Sequence, residues 1–292
     1  MTVREVAAYL SIKERKVYDL IKQGRIPCSR VTGKWLFPRR LIELWVAEHT
    51  AFASVQARDF SAAPPVLAGS HDPLLEWALR ASDCGLAMLA EGSLEGLTRL
   101  AAGEAQVCGV HILQPEDGGY NVQAVTAALP GRDIVVLEWA WRRQGLVLAP
   151  HNPLNIQGLG DVVRGGHRFM GRQAQAGTSL LLEQLLAADG LVPGALNRID
   201  EVARTQTDVG LAVLDGRADV GLAVEAVARQ LRLAFVPLHR ERYDLVLSRR
   251  AYFEPPLQAL AAFTRGEAFA RQAAALGGYE LAGQWTPVYN SA

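Results

Sequence analysis

The sequence predicts a mixed α/β protein, a small helical head followed by a larger body in which short strands and helices alternate. Three observations carry this. Apolar runs of four to nine residues recur from Val66 onward, each followed by an amphipathic stretch. The first fifty residues have no such alternation, only helical periodicity and one Gly turn. Charge divides at the same place. The 292-residue chain has zero formal net charge, but residues 1–50 hold ten Lys and Arg against five acids, leaving the remainder at −5. A basic head on an acidic body points to a polyanion as the partner of the head. Half of the residues are hydrophobic and 21% are charged, which excludes a disordered chain. The three cysteines, Cys28, Cys84 and Cys108, form no CxxC pair. No apolar run reaches the roughly 18 residues of a membrane span, and the N-terminus lacks a signal core. The expectation is a cytoplasmic protein in a reducing compartment.

In the head, Thr2 and Glu5 have the spacing of a capping box, and Val6, Ala7 and Leu10 give the first helix its apolar face. A second helix, 13 to about 23, turns Val17, Leu20 and Ile21 inward, and Gly24 stops it. Thr32-Gly33 separates two short extended runs, which predicts a hairpin or wing. A third helix spans 39–49. This is a winged helix-turn-helix constellation. Lys13, Arg15, Lys16 and Tyr18 are candidates for base edges, and Lys22, Arg25, Arg30, Lys34 and Arg39 for phosphates. The block resembles the excisionase/MerR-type helix-turn-helix family. The matching residues are Val3, Glu5-Val6-Ala7, Tyr9-Leu10, Val17-Tyr18, Leu20-Ile21, Gly24, Ile26-Pro27, Gly33 to Pro38 and Leu44-Trp45. Lys13-Glu14-Arg15 stands where that family more often has small hydroxyl residues. The resemblance implies binding to double-stranded DNA, usually as a homodimer. The alternative is a head that docks onto a protein, and steep weakening by salt separates the two.

Residues 51–65 lose periodicity and end in Pro64-Pro65, so they are expected to be a linker, with 50–60 extending the third helix. In the body, strands at 66–69, 85–90, 105–113, 134–141, 145–148, 169–172, 219–224, 233–238 and 243–247 alternate with helices. Ligands in such sheets sit beyond the carboxyl ends of strands. Three strands run into a hydroxyl at a helix start: Ser70, Ser93 and the pair Thr178/Ser179. A hydroxyl there caps the helix, and the N–H groups and dipole of its first turn favour an anion. Arg172, just before the third of these turns, adds a planar cation suited to oxyanions.

The body also resembles the type II periplasmic-binding-protein fold, and within it the domain attached to helix-turn-helix heads and to molybdenum-cofactor proteins. The carrying stretches are Gly69 to Pro73, Gly92-Ser93-Leu94 with Gly96-Leu97, Gly109-Val110-His111, Gly119 to Asn121, Arg172-Gln173 with Ala176-Gly177-Thr178, Gly216 to Gly221, and Glu241, Tyr243 and Leu245. Relatives often carry Ser-Gly-Thr-Arg where this chain has Ala176-Gly177-Thr178-Ser179. The resemblance implies two lobes, 66–140 with 240–292 and 141–239. It implies an effector between them, molybdate, tungstate or a molybdenum-cofactor-related anion, held by Ser70, Asp72, Ser93, Arg172, Thr178, Ser179 and Tyr243. His71 and Asp72 are awkward neighbours for an anion, and His111 has the setting of a strand-end core residue. Adjacent Ser70-His71-Asp72 cannot converge as a catalytic triad. No GxSxG, HExxH or P-loop pattern is present, and the histidines lack ligand spacing. Neither catalysis nor a bound metal cation is expected.

Overall fold

The computed structural model describes residues 1–30, 33–49, 63–114 and 118–291. It divides into two compact units, 1–57 and 58–292. Most of the expected linker, 51–62, lies outside the described residues, as does the wing tip at 31–32.

The first unit is built from α1 (Val3–Tyr9), α2 (Glu14–Lys22) and α3 (Arg39–His49). Thr2 and Glu5 form the capping box at α1. Helix α2 closes with Gly24 in the left-handed region (φ 62°), while Arg25 N–H donates to Leu20 O and Gly24 N–H to Ile21 O. That pair of bonds is the Schellman arrangement, and it satisfies carbonyls that a helix end otherwise leaves open. Ser29 and Leu36 exchange both backbone bonds across the hairpin. Val6, Ala7, Val17, Leu20, Ile26, Phe37 and Ile42 form the core.

The second unit holds one ten-stranded sheet. Its elements begin with β1 (Val66–Gly69), α4 (Pro73–Ala81), β2 (Ala87–Ala90), α5 (Ser93–Ala102), β3 (Val107–Val110), α6 (Val122–Ala128) and β4 (Ile134–Leu148). They continue with α7 (Leu159–Arg164), β5 (Phe169–Arg172), α8 (Gly177–Ala188), β6 (Arg198–Ala203), α9 (Gln206–Leu214), β7 (Val220–Val224) and α10 (Glu225–Gln230). The chain returns through β8 (Ala234–Ser248), α11 (Arg249–Tyr252), α12 (Pro255–Thr264), α13 (Glu267–Leu276), β9 (Tyr279–Glu280) and β10 (Pro287–Asn290).

The strand order is β2-β1-β3-β8-β4-β7-β5-β6, with β9 and β10 on β4. Strands β1, β2 and β3 are mutually parallel, as are β5, β6 and β7, while β4 and β8 run antiparallel to each other and to their neighbours. Both β4 and β8 have 15 residues and serve both lobes: their one ends pair β3 and β10, and the other end of β4 pairs β7. Four sequence-predicted strands are therefore two. The apolar runs 134–141 and 145–148 are joined through Arg142-Arg143-Gln144, and 233–238 and 243–247 through His239 to Arg242. Polar residues in mid-strand broke the hydrophobic pattern without breaking the ladder. The β4–β8 register shifts between Glu138 and Ala140 and again between Gln144 and Gly145. Such bulges twist and bend a strand pair, and the bend falls where the chain passes from one lobe to the other. Helices α6, α7 and α9 and strands β6, β9 and β10 were not expected from the sequence.

Candidate functional site

The three hydroxyl turns converge. Ser70 Oγ lies 2.9 Å from Ser93 Oγ, and the backbone N–H of His111 donates to Ser93 Oγ at 3.3 Å. Turns after β1 and β3 and the first residue of α5 thus share one knot in the first lobe. From the other lobe, Leu94 N–H donates to Gln175 O at 3.4 Å and Gln173 Nε2 to Glu91 O at 3.1 Å. A methyl group added at Gly177 would stand 2.7 Å from His111 O and 2.8 Å from His111 Nε2. The α8 turn therefore rests directly on His111, and the cleft is closed. A hollow of about 480 Å³ lined by Ala90, Glu91, Gln173, Val202 and Arg204 remains at its rim.

The caps differ from expectation. Asp72, not Ser70, caps α4, accepting from Leu75 N–H at 2.8 Å. Ser93 is the first residue of α5 behind Gly92, and α8 starts at Gly177 with no side-chain cap. Ser179 Oγ instead donates to the carbonyls of Arg172 (3.2 Å) and Gln173 (3.0 Å), and Thr178 Oγ1 accepts from Gln206 Nε2 at 3.0 Å. A hydroxyl so close to the strand end finds those carbonyls before it finds the helix. Asp72 and Tyr243, both expected to meet the effector, are already engaged. Asp72 accepts from Tyr279 OH at 2.7 Å and Arg142 Nη1 at 2.9 Å, and Tyr243 OH donates to Ser70 O at 2.5 Å. Gly109 admits that tyrosine: a methyl there would come within 1.8 Å of its hydroxyl. These two residues frame the site.

Its centre lies on the crossover strands, where sequence reasoning found Glu241 and Tyr243 but not Arg142 or Gln144. Arg142 of β4 and Glu241 of β8 are direct cross-strand partners. Glu241 Oε1 accepts from Arg142 Nε at 2.6 Å and Gln144 Nε2 at 2.9 Å, and Glu241 Oε2 takes His111 Nδ1 at 2.8 Å. Arg142 also lies 4.5 Å over the Tyr243 ring. All of these residues are at most 2% exposed. Burial pushes the Glu241 carboxyl up, but His111 and Arg142 and the hydrogen bonds from His111 and Gln144 outweigh it and hold the group down at about 2. Burial lowers His111, and the charges of Arg142 and Arg172 add to that, against Glu241. His111 Nδ1 carries the proton of the bond to Glu241 Oε2, because a carboxylate can only accept. Arg172 is pushed down to about 10 by burial and by Arg142, with Asp208 opposing. Arg172 therefore lies within electrostatic reach of Arg142. Arg142 Nη2, Arg172 Nη1 and Gln144 Oε1 are buried and have no hydrogen-bond partner among the described residues. Native interiors rarely leave such groups unmatched without a ligand or water to meet them.

The signal for Arg142 and Gln144 was present: two polar residues at i and i+2 inside an apolar strand share one face. Gln206 was signalled too, by the capping box of Thr205 and Asp208 ahead of α9.

On the head, Lys13, Arg15, Lys16, Tyr18, Lys22, Arg25, Arg30 and Lys34 are all exposed. Arg30 stacks 5.3 Å over Trp35. Lys13, Arg15, Lys16, Lys22, Arg25 and Lys34 make no ion pair among the described residues, so their charges are open to a partner. Among the described residues no helix is long and apolar enough to cross a membrane, and no group of three His, Cys, Asp or Glu could hold a metal ion.

Comparison with known proteins matches these units. Residues 1–50 match a helix-turn-helix domain and residues 76–265 the PBP superfamily domain. An uncharacterized protein of Bacillus subtilis (strain 168), YvgK, is 26% identical over 292 residues, covering 96% of this chain and 94% of its own. A putative phosphate ABC transporter substrate-binding protein from Clostridium perfringens, solved with phosphate, is 10% identical with a TM-score of 0.54, over 72% of this chain and 97% of its own. PEB3 bound to L-phospholactate is 13% identical with a TM-score of 0.50, over 74% and 98%. At these identities the solved structures establish the fold alone. The chain belongs to the PBP superfamily, with a helix-turn-helix domain ahead of the binding-protein-like body.

Proposed function

We propose that this protein is a one-component transcription regulator, whose head binds double-stranded DNA and whose cleft takes a small anionic effector. The observation that carries it is the pair of buried guanidinium groups, Arg142 and Arg172, each with an unpaired N–H at the junction of the lobes. A buried cation with an unmatched donor is costly unless an acceptor arrives. Ser70, Ser93, Thr178 and the first turn of α8 are the remaining donors of that cleft, with Ser179, Asp72 and Tyr243 as its supports. Lys13, Arg15, Lys16 and Tyr18 face base edges, and Lys22, Arg25, Arg30 and Lys34 face phosphates.

The protein acts in the cytoplasm as a homodimer on a two-fold site. The effector prefers one state of lobe closure and so shifts the DNA-competent population. Its role is binding, without turnover of the effector. Molybdate, tungstate and molybdenum-cofactor-related anions are one set of candidates, on the resemblance of the body. Phosphate and phosphorylated acids are a second set, on the ligands of the two solved structures.

Calorimetric titration of the full chain with molybdate, tungstate, sulfate and phosphate, repeated on Arg172→Met, tests the cleft. Binding that survives the substitution removes Arg172 from it. A gel shift with the chain's own upstream DNA tests the head. Affinity must fall steeply between about 50 and 200 mM salt if several phosphates are contacted. No shift at the lower salt would mean that the head has another partner.

A further inference from the structure

Glu241 is a hub with three spokes, and each spoke has a second group left over. Its carboxylate can only accept. Arg142 gives it Nε and keeps the unpaired donor Nη2. Gln144 must turn its amide N–H toward Glu241, so its unpaired atom is the acceptor Oε1. His111 must carry its proton on Nδ1 to meet Glu241, so a neutral ring presents a bare acceptor at Nε2. No described residue bonds that Nε2, and it faces the α8 turn at Gly177. Arg172 contributes one more unpaired donor, Nη1, from the other lobe. The unmatched set is therefore mixed: two cationic donors beside two acceptors.

The charge balance narrows the ligand further. Arg142 and Arg172 stand against Asp72, Glu241 and Asp208, so positive charge is in no excess whether the His111 ring is neutral or protonated. A dianion would enter a buried site with no excess of positive side chains. An unpaired buried charge is strongly disfavoured.

We infer that the effector is an oxyanion that also bears an O–H donor, a hydrogen-oxyanion or a hydroxy acid of low charge, and not a fully deprotonated tetraoxoanion. This rests on the proposed cleft: the oxyanion oxygens meet Arg142 and Arg172, and the O–H meets Gln144 Oε1. Sulfate, molybdate and tungstate leave Gln144 Oε1 unmatched, while a ligand with an O–H satisfies it. Sites built around a ligand hydroxyl reject analogues lacking it by large factors.

The test uses two minimal pairs on the full chain near neutral pH: inorganic phosphate against sulfate, and lactate against propionate, with molybdate and tungstate alongside. Affinities are read by calorimetry. The expected result is a preference of at least about 100-fold for the O–H member of one pair. That pair also tells whether the donor belongs to an inorganic or an organic acid. In Gln144→Leu the same ratio should fall toward one. Its collapse without loss of the folded-state melting transition separates recognition from stability. Sulfate or molybdate binding as tightly as phosphate, with propionate equal to lactate, overturns the inference. If Arg172→Met abolishes that binding, the proposed cleft still stands. Failure of every solute to bind removes both.

Discussion

Replacing Glu241 with Gln keeps the shape of the hub and removes its charge. In the parent, Glu241 accepts three hydrogen bonds at 2.6 to 2.9 Å from side chains that are at most 2% exposed. Removing one member of a buried ion pair costs about 3–5 kcal/mol. The amide still accepts from Arg142 or Gln144, so about 3 kcal/mol, the lower end, applies. A domain of this size loses about 2–4 °C of melting temperature per kcal/mol, which gives a drop of about 6–12 °C. The assay is calorimetric melting of the full chain, following the transition of the second unit, at low and at high salt. Because the pair is buried, salt should leave the difference intact. Acid adds a second readout. The folded carboxyl is held at about 2, below its ordinary 4.5, so its stabilisation is complete above 4.5 and is lost as pH falls through 2. Glu241→Gln should lack that acid-dependent loss. A melting temperature within about 2 °C of the parent, with unchanged acid dependence, would falsify the hub as a stabilising centre.

Three further outcomes follow from other parts of the chain. Gly177→Ala places a methyl 2.8 Å from His111 Nε2 and should prop the cleft open, weakening effector binding by on the order of tenfold; unchanged affinity would show that closure does not bring these turns together. Lys22→Ala and Arg25→Ala should each lower the slope of log affinity against log salt by about one, and an unaltered slope for both would move the phosphate contact away from the end of α2. Burial raises the Asp244 carboxyl to about 6 against Arg242 and Asn121, so the folded chain holds a proton that the unfolded chain gives up near 3.8. Its contribution is therefore present below 3.8 and lost as pH rises through 6, about 3 kcal/mol in all. Asp244→Asn should flatten that part of the pH–melting curve, and an unchanged slope between those two values would count against the shift.

Much of the fold was legible because it is written in local signals. The capping box at Thr2, the stop at Gly24 and the period of α2 each depend on residues within one turn of each other. The site was less legible because its centre is made by strand pairing. Arg142 meets Glu241 across 99 positions of sequence, and nothing local says that the gap between two apolar runs is the middle of one strand. The hydroxyl turns do meet in the structure, but not as helix caps. Ser70 and Ser93 bond each other rather than capping, and Ser179 serves two carbonyls, because residues at a strand's end meet the neighbouring strand's turn first. Asp72, awkward beside an anion in the sequence, is neutralised by Arg142 and caps α4.

On the proposed function, the side chains that hold the bend are also those that meet the effector, which ties recognition to motion. Arg142 and Gln144 lie between the two register shifts of β4, where the lobes diverge, and both bond Glu241 on the facing strand. Arg142 reaches Asp72 at the N-terminus of α4 in the first lobe, and Arg172 in the second lobe sits within its electrostatic reach. On the proposed function, an oxyanion between the two guanidinium groups would offset the charge of Arg142 that acts against Arg172. The differential affinity of the effector for open and closed lobes therefore has a named source. A ligand that met Ser70 and Ser93 alone would bind one lobe and leave the equilibrium where it was.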